Sequence, residues 1–292
     1  AARPILFRTF SSEPWGVVGI ANVGEETSVF EHALFQGGSE AYINGIFFSG
    51  TLSSYHSDIT VSRSLFREAH GDDGINVKYA DALLSDNEFL NNSADAVDLD
   101  YASGTVTSSL FDGNGNDGID ISGSTVLISD NYILKSGDKC ISIGEKSEEP
   151  IIFNNVLDGC NIGIETKDAS TPIIANTVII NNNLGLNAYR KKEIFEVGGL
   201  PKVYNTIIWD NEGHIIDDEF SDTKIYHSNI EGEFKGEGNI TVEPGISERN
   251  THKVTSNEKL QSAGILPDTL KDVIGLDEDS VPIGLLRDVR VK

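Results

Sequence analysis

"SLFREAHGDDGINVKYA" (64–80), "NEFLNNSADAVDLDYA" (87–102), "SLFDGNGNDGIDISGS" (109–124), "NYILKSGDKCISIGEKS" (131–147), "NVLDGCNIGIETKDAS" (155–170) and "TVIINNNLGLNAYRKK" (177–192) are six versions of one unit. One apolar column runs Phe66, Phe89, Phe111, Ile133, Val156, Val178. A second runs Ile75, Val97, Ile119, Ile141, Ile164, Leu186, at spacings of 22, 22, 22, 23 and 22 residues. Two residues further on lies a third: Val77, Leu99, Ile121, Ile143. Alternation with period two inside each unit means strands, because a helical face needs spacings of three and four. No such unit buries its apolar side alone, so the period predicts an all-β solenoid of about 22 residues per coil, with stacked coils forming the core.

Rival repeat folds fail. Leucine-rich repeats need a leucine-dense signature, propeller blades need about twice the period, and a TIM barrel needs long amphipathic helices. Asn91, Asn92, Asn131, Asn154, Asn155, Asn181, Asn182 and Asn183 fill the gaps between strands. They suit left-handed corners and side-chain ladders from coil to coil.

Outward from this stretch the period loosens. Residues 1–58 read as opening coils with loops, 59–188 as the regular stack, and 189–202 as an insertion that stretches one repeat to 29 residues, from Leu186 to Ile215. Coils resume to residue 246. The solenoid is thus expected over 1–246, followed by a capping segment at 247–292 that shields the open end of the stack.

Composition bounds the function. The chain has 292 residues, 46 acidic and 22 basic side chains and a net charge of −24. That charge argues against nucleic acid, which needs a cationic face. A polyanionic partner needs a bound cation or a local lysine cluster. No apolar run approaches the length of a membrane span. Methionine is absent, so Ala1 is not an initiator end, and the chain reads as mature or as part of a longer multidomain protein. The six histidines show no metal-ligand spacing.

The repeats resemble the right-handed parallel β-helix families of secreted, carbohydrate-related proteins, over roughly residues 28–245. The resemblance implies an extracellular or cell-surface protein whose partner is a polysaccharide or cell-surface glycan. It leaves hydrolase, lyase, non-catalytic glycan-binding module and structural or adhesive surface repeat all open, because this fold hosts many activities.

Outward-pointing positions carry the candidate chemistry. Asp72, Asp73, Asp95, Asp98, Asp100, Asp117, Asp120 and Asp138 fall on one face of four successive coils, where stacked rungs lie about 4.8 Å apart. Like charges so close are relieved by protonation or by a cation. Asp73, Asp95, Asp98, Asp117 and Asp120 are therefore the expected cation ligands, and calcium the expected ion. The alternative is a solvated face balanced by Lys78, Lys139 and Lys167.

Residues 116–147 resemble the polygalacturonases, pectin hydrolases, through Asn116-Asp117 and Gly137-Asp138-Lys139-Cys140. That resemblance implies Asp138 as general acid and Asp117 as part of the water-activating base pair, with Asp120 beside them. Lys139 stands where the hydrolases carry a second aspartate. The family's histidine is missing from "GCNIGIE", and its basic element survives only as Arg190, Lys191 and Lys192. Lyases of this fold use a lysine as base, which makes Lys139 and Lys167 the alternative catalytic pair. Tyr101, Tyr189, Arg190 and Lys191 are the expected substrate contacts, the tyrosines by stacking on sugar rings. The loops at 36–58 and 189–202 would wall the groove. Cys140 and Cys160 sit three positions out of register, which strains a bond, whereas the polygalacturonase resemblance favours one.

Overall fold

The computed structural model describes residues 3–232, 234–246, 259–260, 264–267, 270–271 and 282–285. Among the described residues, three parallel sheets of ten, nine and nine strands span Ile5 to Ile230. Each coil contributes one strand to each sheet in turn, so the chain winds through nine complete coils and opens a tenth. The fold is a right-handed parallel β-helix. One antiparallel pair, Ala41–Ile43 with Ile46–Phe48, stands outside the stack.

Side chains of all three sheets meet in one axial core. The second column pairs rung by rung as Ile75, Val97, Ile119, Ile141, Ile164 and Leu186, each fully buried. In the first sheet, Phe7, Phe35, Phe66, Phe89 and Phe111 stack face to face with centroids 4.5–5.2 Å apart. Offset stacking adds to the area these rings bury. Buried asparagines tie neighbouring corners together: Asn92 donates to Asn114 at 2.8 Å, Asn131 to Asn155 at 3.0 Å and Asn182 to Asn211 at 2.9 Å. Asn91, Asn154 and Asn181 take the left-handed conformation expected of them.

One sequence reading is corrected. The first column continues inward through Leu157 and Ile179, not Val156 and Val178. A one-residue slip turns a side chain to the opposite face of a strand. Val156 and Val178 point outward and are nevertheless buried, because the tail covers them. The described residues of the tail lie on the flank of the later coils. Leu260 and Ile283 pack on Val178, Ile180, Ile207 and Trp209, and Leu266 and Leu270 pack on Phe153 and Ala175. Asn176 donates to the carbonyls of Pro282 and Gly284, which pins the tail across a corner. At the end of the stack, Phe234 packs against the axial core and Ile240 forms a bridge with Asn229. The remaining capping residues, Val273 and Ile274 among them, lie outside the described residues.

Candidate functional site

The acidic face is the outer surface of the second sheet. Its relevant strands are Asp73–Lys78, Asp95–Asp100, Ile119–Ser122, Lys139–Gly144, Ile162–Lys167 and Leu184–Tyr189. Inward Ile, Val and Leu fix the register, so their polar neighbours must stack outside. The ladder reads Asp73 against Asp95, Asn76 against Asp98, Asp98 against Asp120, Asp120 against Ser142, and Ser142 against Glu165.

Just before the second column each strand carries a small residue at its corner: Gly74, Ala96, Gly118, Cys140, Gly163 and Gly185. A Cβ on Gly118 would come within 2.6 Å of the Cys140 carbonyl oxygen. This column brings the acidic residues against the backbone of the next coil. It is also how the cysteines meet. Cys140 turns inward at the corner and bonds Cys160, with a Cα separation of 5.7 Å and Gly159 at φ +72° completing the return. The register offset is absorbed by that turn, within the range a disulfide tolerates.

Asp95, Asp117 and Asp120 converge: one carboxylate oxygen of each lies within 4.8 Å of the others. The Asp95 carboxylate accepts from Asn116 Nδ2 at 2.6 Å and from the Asp117 amide at 2.8 Å, and Asp117 accepts from the Lys139 amide at 2.9 Å. Asp117 is 3% exposed. Burial, then the charges of Asp95 and Asp120, pushes the Asp117 carboxyl up to about 7. Burial pushes Asp95 up to about 6, with Asp120 and Asp72 adding and the bonds from Asp117 and Asn116 opposing. Burial also raises Asp120, against the pull of Lys167, Ser142 and Lys139. One Asp120 oxygen is buried without a hydrogen-bond partner among the described residues. These carboxyls are held where a proton or a cation is wanted.

Asp73 and Asp98 lie outside this trio and form the flank nearer the start of the chain. Both carboxyls are raised by burial and by each other's or neighbouring charge, partly offset at Asp73 by a bond with Ser49. Asn76 donates to Asp98 at 2.7 Å.

Towards the other end stands a set of donors. Lys139 is ion-paired with Asp138 and lies 3.8 Å from both Asp117 and Glu165. Burial lowers its pKa, but these three carboxylates outweigh burial and raise it. A lysine so placed stays protonated and cannot take up a proton. Asp138 moves the opposite way from Asp117: burial raises it, yet hydrogen bonds from Lys139 and Asn161 hold it below the usual range. The two carboxyls of the polygalacturonase-like assignment are thus shifted in opposite directions, Asp138 down and Asp117 up. Lys167 donates to Ser142 Oγ at 2.7 Å and lies 3.3 Å from Glu165. Glu165 also accepts from the Tyr189 hydroxyl at 3.3 Å, and burial with this carboxylate pushes Tyr189 up to about 12.

Other expected contacts are placed elsewhere. Tyr101 stacks on Tyr79 with centroids 5.2 Å apart, and Tyr79 on His56 at 4.9 Å. The other face of Tyr101 covers Gly123, where a Cβ would come within 2.6 Å of the ring. The Arg190 guanidinium lies 3.4 Å from the centre of the Phe220 ring, and its amide donates to Asp218. The amides of Lys191 and Lys192 both donate to buried Asp168, so this stretch anchors the loop. The loop reaches back to pair Lys192 with Glu145. The hairpin at 41–48 instead overlies the first coils, with Phe48 against Gly19 and Tyr55. The two insertions bound the ends of the acidic face. In the sequence Glu165 enters only as a member of the outward column beside the second apolar one, and Gly144 is not singled out.

The family described as the right-handed beta helix region matches residues 73–230. Among solved structures, the chain is similar to the periplasmic alginate epimerase AlgG, at 13% identity and a TM-score of 0.59, covering 72% of this chain and 51% of that one. It is also similar to the pectate lyase Pel9A, at 11% identity and a TM-score of 0.55, covering 97% of this chain and 86% of that one. The chain spans about half the length of the epimerase, and at these identities the likeness is one of fold. No curated protein matches it in sequence. The chain belongs to the right-handed β-helix family.

Proposed function

We propose that the outer face of the second sheet binds an acidic polysaccharide through a divalent cation held by Asp95, Asp117 and Asp120. Convergence of three carboxylates within 4.8 Å on a scaffold that cannot spread them is the observation that carries this reading. Hard oxygen ligands suit calcium. A cation would also reverse the field that a −24 chain presents to a uronate. The fold is shared with an alginate epimerase and a pectate lyase, and the disulfide suits an oxidising compartment outside the cytoplasm.

The group this arrangement would act on is a uronate carboxyl, and elimination or epimerisation beside it are the reactions to be distinguished from binding alone. A bound cation supplies charge that withdraws electrons from that carboxyl. Lys139 and Lys167 place two further positive charges one and two coils away, and Tyr189 keeps its proton and is a donor. Hydrolysis is disfavoured, because Lys139 occupies both carboxylates that a hydrolytic pair would use.

Melting curves in chelator and in millimolar calcium, followed by incubation with polygalacturonate and alginate, test the reading. Calcium is expected to raise the melting temperature. Saturation a hundredfold over Kd is worth about 2.7 kcal/mol. Products are read by ultraviolet absorbance for elimination and by proton NMR for epimerisation. Binding without turnover would assign a glycan-binding module. Absence of both a calcium shift and a binding heat at neutral pH would overturn the cation site.

A further inference from the structure

Gly144 ends the strand Lys139–Gly144, and its φ lies outside the left-handed region, so its backbone has no need of glycine. Glycine at an ordinary strand position weakens the strand and usually marks a close approach. The close approach here is a side chain. A Cβ at residue 144 would lie 2.7 Å from Lys167 Cε, 3.1 Å from its Cγ and 3.5 Å from its Cδ. The Lys167 stem therefore lies flat across Gly144, reaching back one coil. Its ammonium ends 2.7 Å from Ser142 Oγ and 3.3 Å from Glu165, with the whole residue 6% exposed. Without that path Lys167 would extend from the sheet edge into water, as exposed lysines ordinarily do.

We propose that Gly144 is a positioning residue, whose missing side chain lets Lys167 lie back beside the acidic trio, and that Lys167 with Lys139 forms the subsite for the carboxylate of an acidic sugar unit. The proposal rests on the acidic-polysaccharide reading and deepens it. Both lysines touch Glu165, at 3.3 and 3.8 Å, and that buried carboxylate sets the distance between them. These contacts to Glu165 are long enough for a substrate carboxylate to compete for the two ammonium groups, while Lys139 keeps its ion pair with Asp138 and Lys167 its bond to Ser142. The trio on one side and the lysine pair on the other would grip successive acidic units of one chain.

A double-mutant cycle tests this with Gly144→Ala, Lys167→Ala and the double variant, measuring melting temperature, short oligouronate affinity in calcium, and nitrogen NMR of the lysine ammonium groups. Gly144→Ala is expected to lower the melting temperature in the wild-type background and to leave it unchanged or raise it once Lys167 is cut back, because the clash is then gone. It should also abolish the slowly exchanging Lys167 ammonium signal. Each single variant should weaken oligouronate binding about tenfold, and the double variant no further. A melting-temperature effect of Gly144→Ala that is the same in both backgrounds would overturn the positioning role. Unchanged oligouronate affinity in Lys167→Ala would overturn the subsite. If the wild-type protein binds no uronan at all, the acidic-polysaccharide reading fails with the subsite, and the melting and NMR arms still decide the positioning role.

Discussion

The outer faces of the first and second sheets begin from the same condition and end differently. Both are the reverse side of strands whose inner residues fill one axial core. On the first sheet the outward residues of the later coils are Val156, Val178, Ile180, Ile207 and Trp209, and a tail segment carrying Leu260, Ile283 and Leu285 covers them. On the second sheet the outward residues are Asp95, Asp98, Asp120, Glu165 and Lys167, with no described tail residue packed on them. A solenoid thus separates tasks by sheet. Inner columns hold the fold, and each outer face is free to be either a docking strip for the chain itself or a polar surface for something else. The covered face gains by burying apolar area, roughly 25 cal/mol per Å². The open face carries charge at a cost in stability.

If this contrast is right, introducing a charge on the covered face must be the most damaging change. Val178→Asp places a carboxylate at a fully buried outward position under the tail. A loss of about 4 kcal/mol or detachment of the tail is expected, because a buried unpaired charge is costly. Urea denaturation with limited proteolysis reads both. A loss under about 1 kcal/mol would mean that the tail does not seal this face.

Removing a charge from the open face should act in the opposite direction. Asp95 and Asp117 are raised in the folded protein, to about 6 and about 7, from an ordinary 3.8. A raised carboxyl binds more protons when folded than when unfolded, so its contribution is complete below about pH 4 and is lost as pH rises through 6 and 7. In chelator, stability should therefore fall from pH 5 to pH 8, and calcium should cancel the fall. Asp117→Asn should raise stability at pH 8 in chelator by on the order of 2 kcal/mol and flatten the profile. The same variant should lose the response to calcium. A flat wild-type profile would show that Lys139 already balances the trio.

The contrast also explains what could be read from the sequence. The second and third columns were legible because their outward neighbours, Asn76, Asp98 and Asp120, are polar, and period-two alternation is then unambiguous. The first column was legible through Ile133 and slipped at Val156 and Val178, where both faces of the strand are buried and "NVLDG" and "TVIIN" offer apolar residues in both registers. The acidic face was legible as a face. Its division was not, because the partner of each carboxylate depends on side-chain direction: Asp138 pairs with Lys139, whereas Asp117 joins Asp95 and Asp120. The small corner column, from Gly74 to Gly185, went unused because glycine and alanine read as turn residues. It is what turns Cys140 inward to Cys160.

The smallest expected effect concerns the edge of the open face. Tyr101 is 51% exposed and stands beside the carboxylates, which suggests a ring for stacking on sugar. Its position argues otherwise. The ring lies between Tyr79 and Gly123, and its hydroxyl donates to Glu145 at 3.3 Å. Tyr79 takes one face of the ring, which reduces the area that face stacking on a sugar could bury. Tyr101→Phe keeps the stack and removes one long, exposed hydrogen bond, which is worth at most about 0.5 kcal/mol. Its melting temperature and its oligouronate affinity should both match the wild type. Tyr101→Ala should lower the melting temperature slightly, by unstacking Tyr79, and still leave affinity within about twofold. Affinity falling tenfold in Tyr101→Ala but not in Tyr101→Phe would show the ring itself in contact with the glycan, and would extend the binding surface from the outer face of the sheet onto its corner.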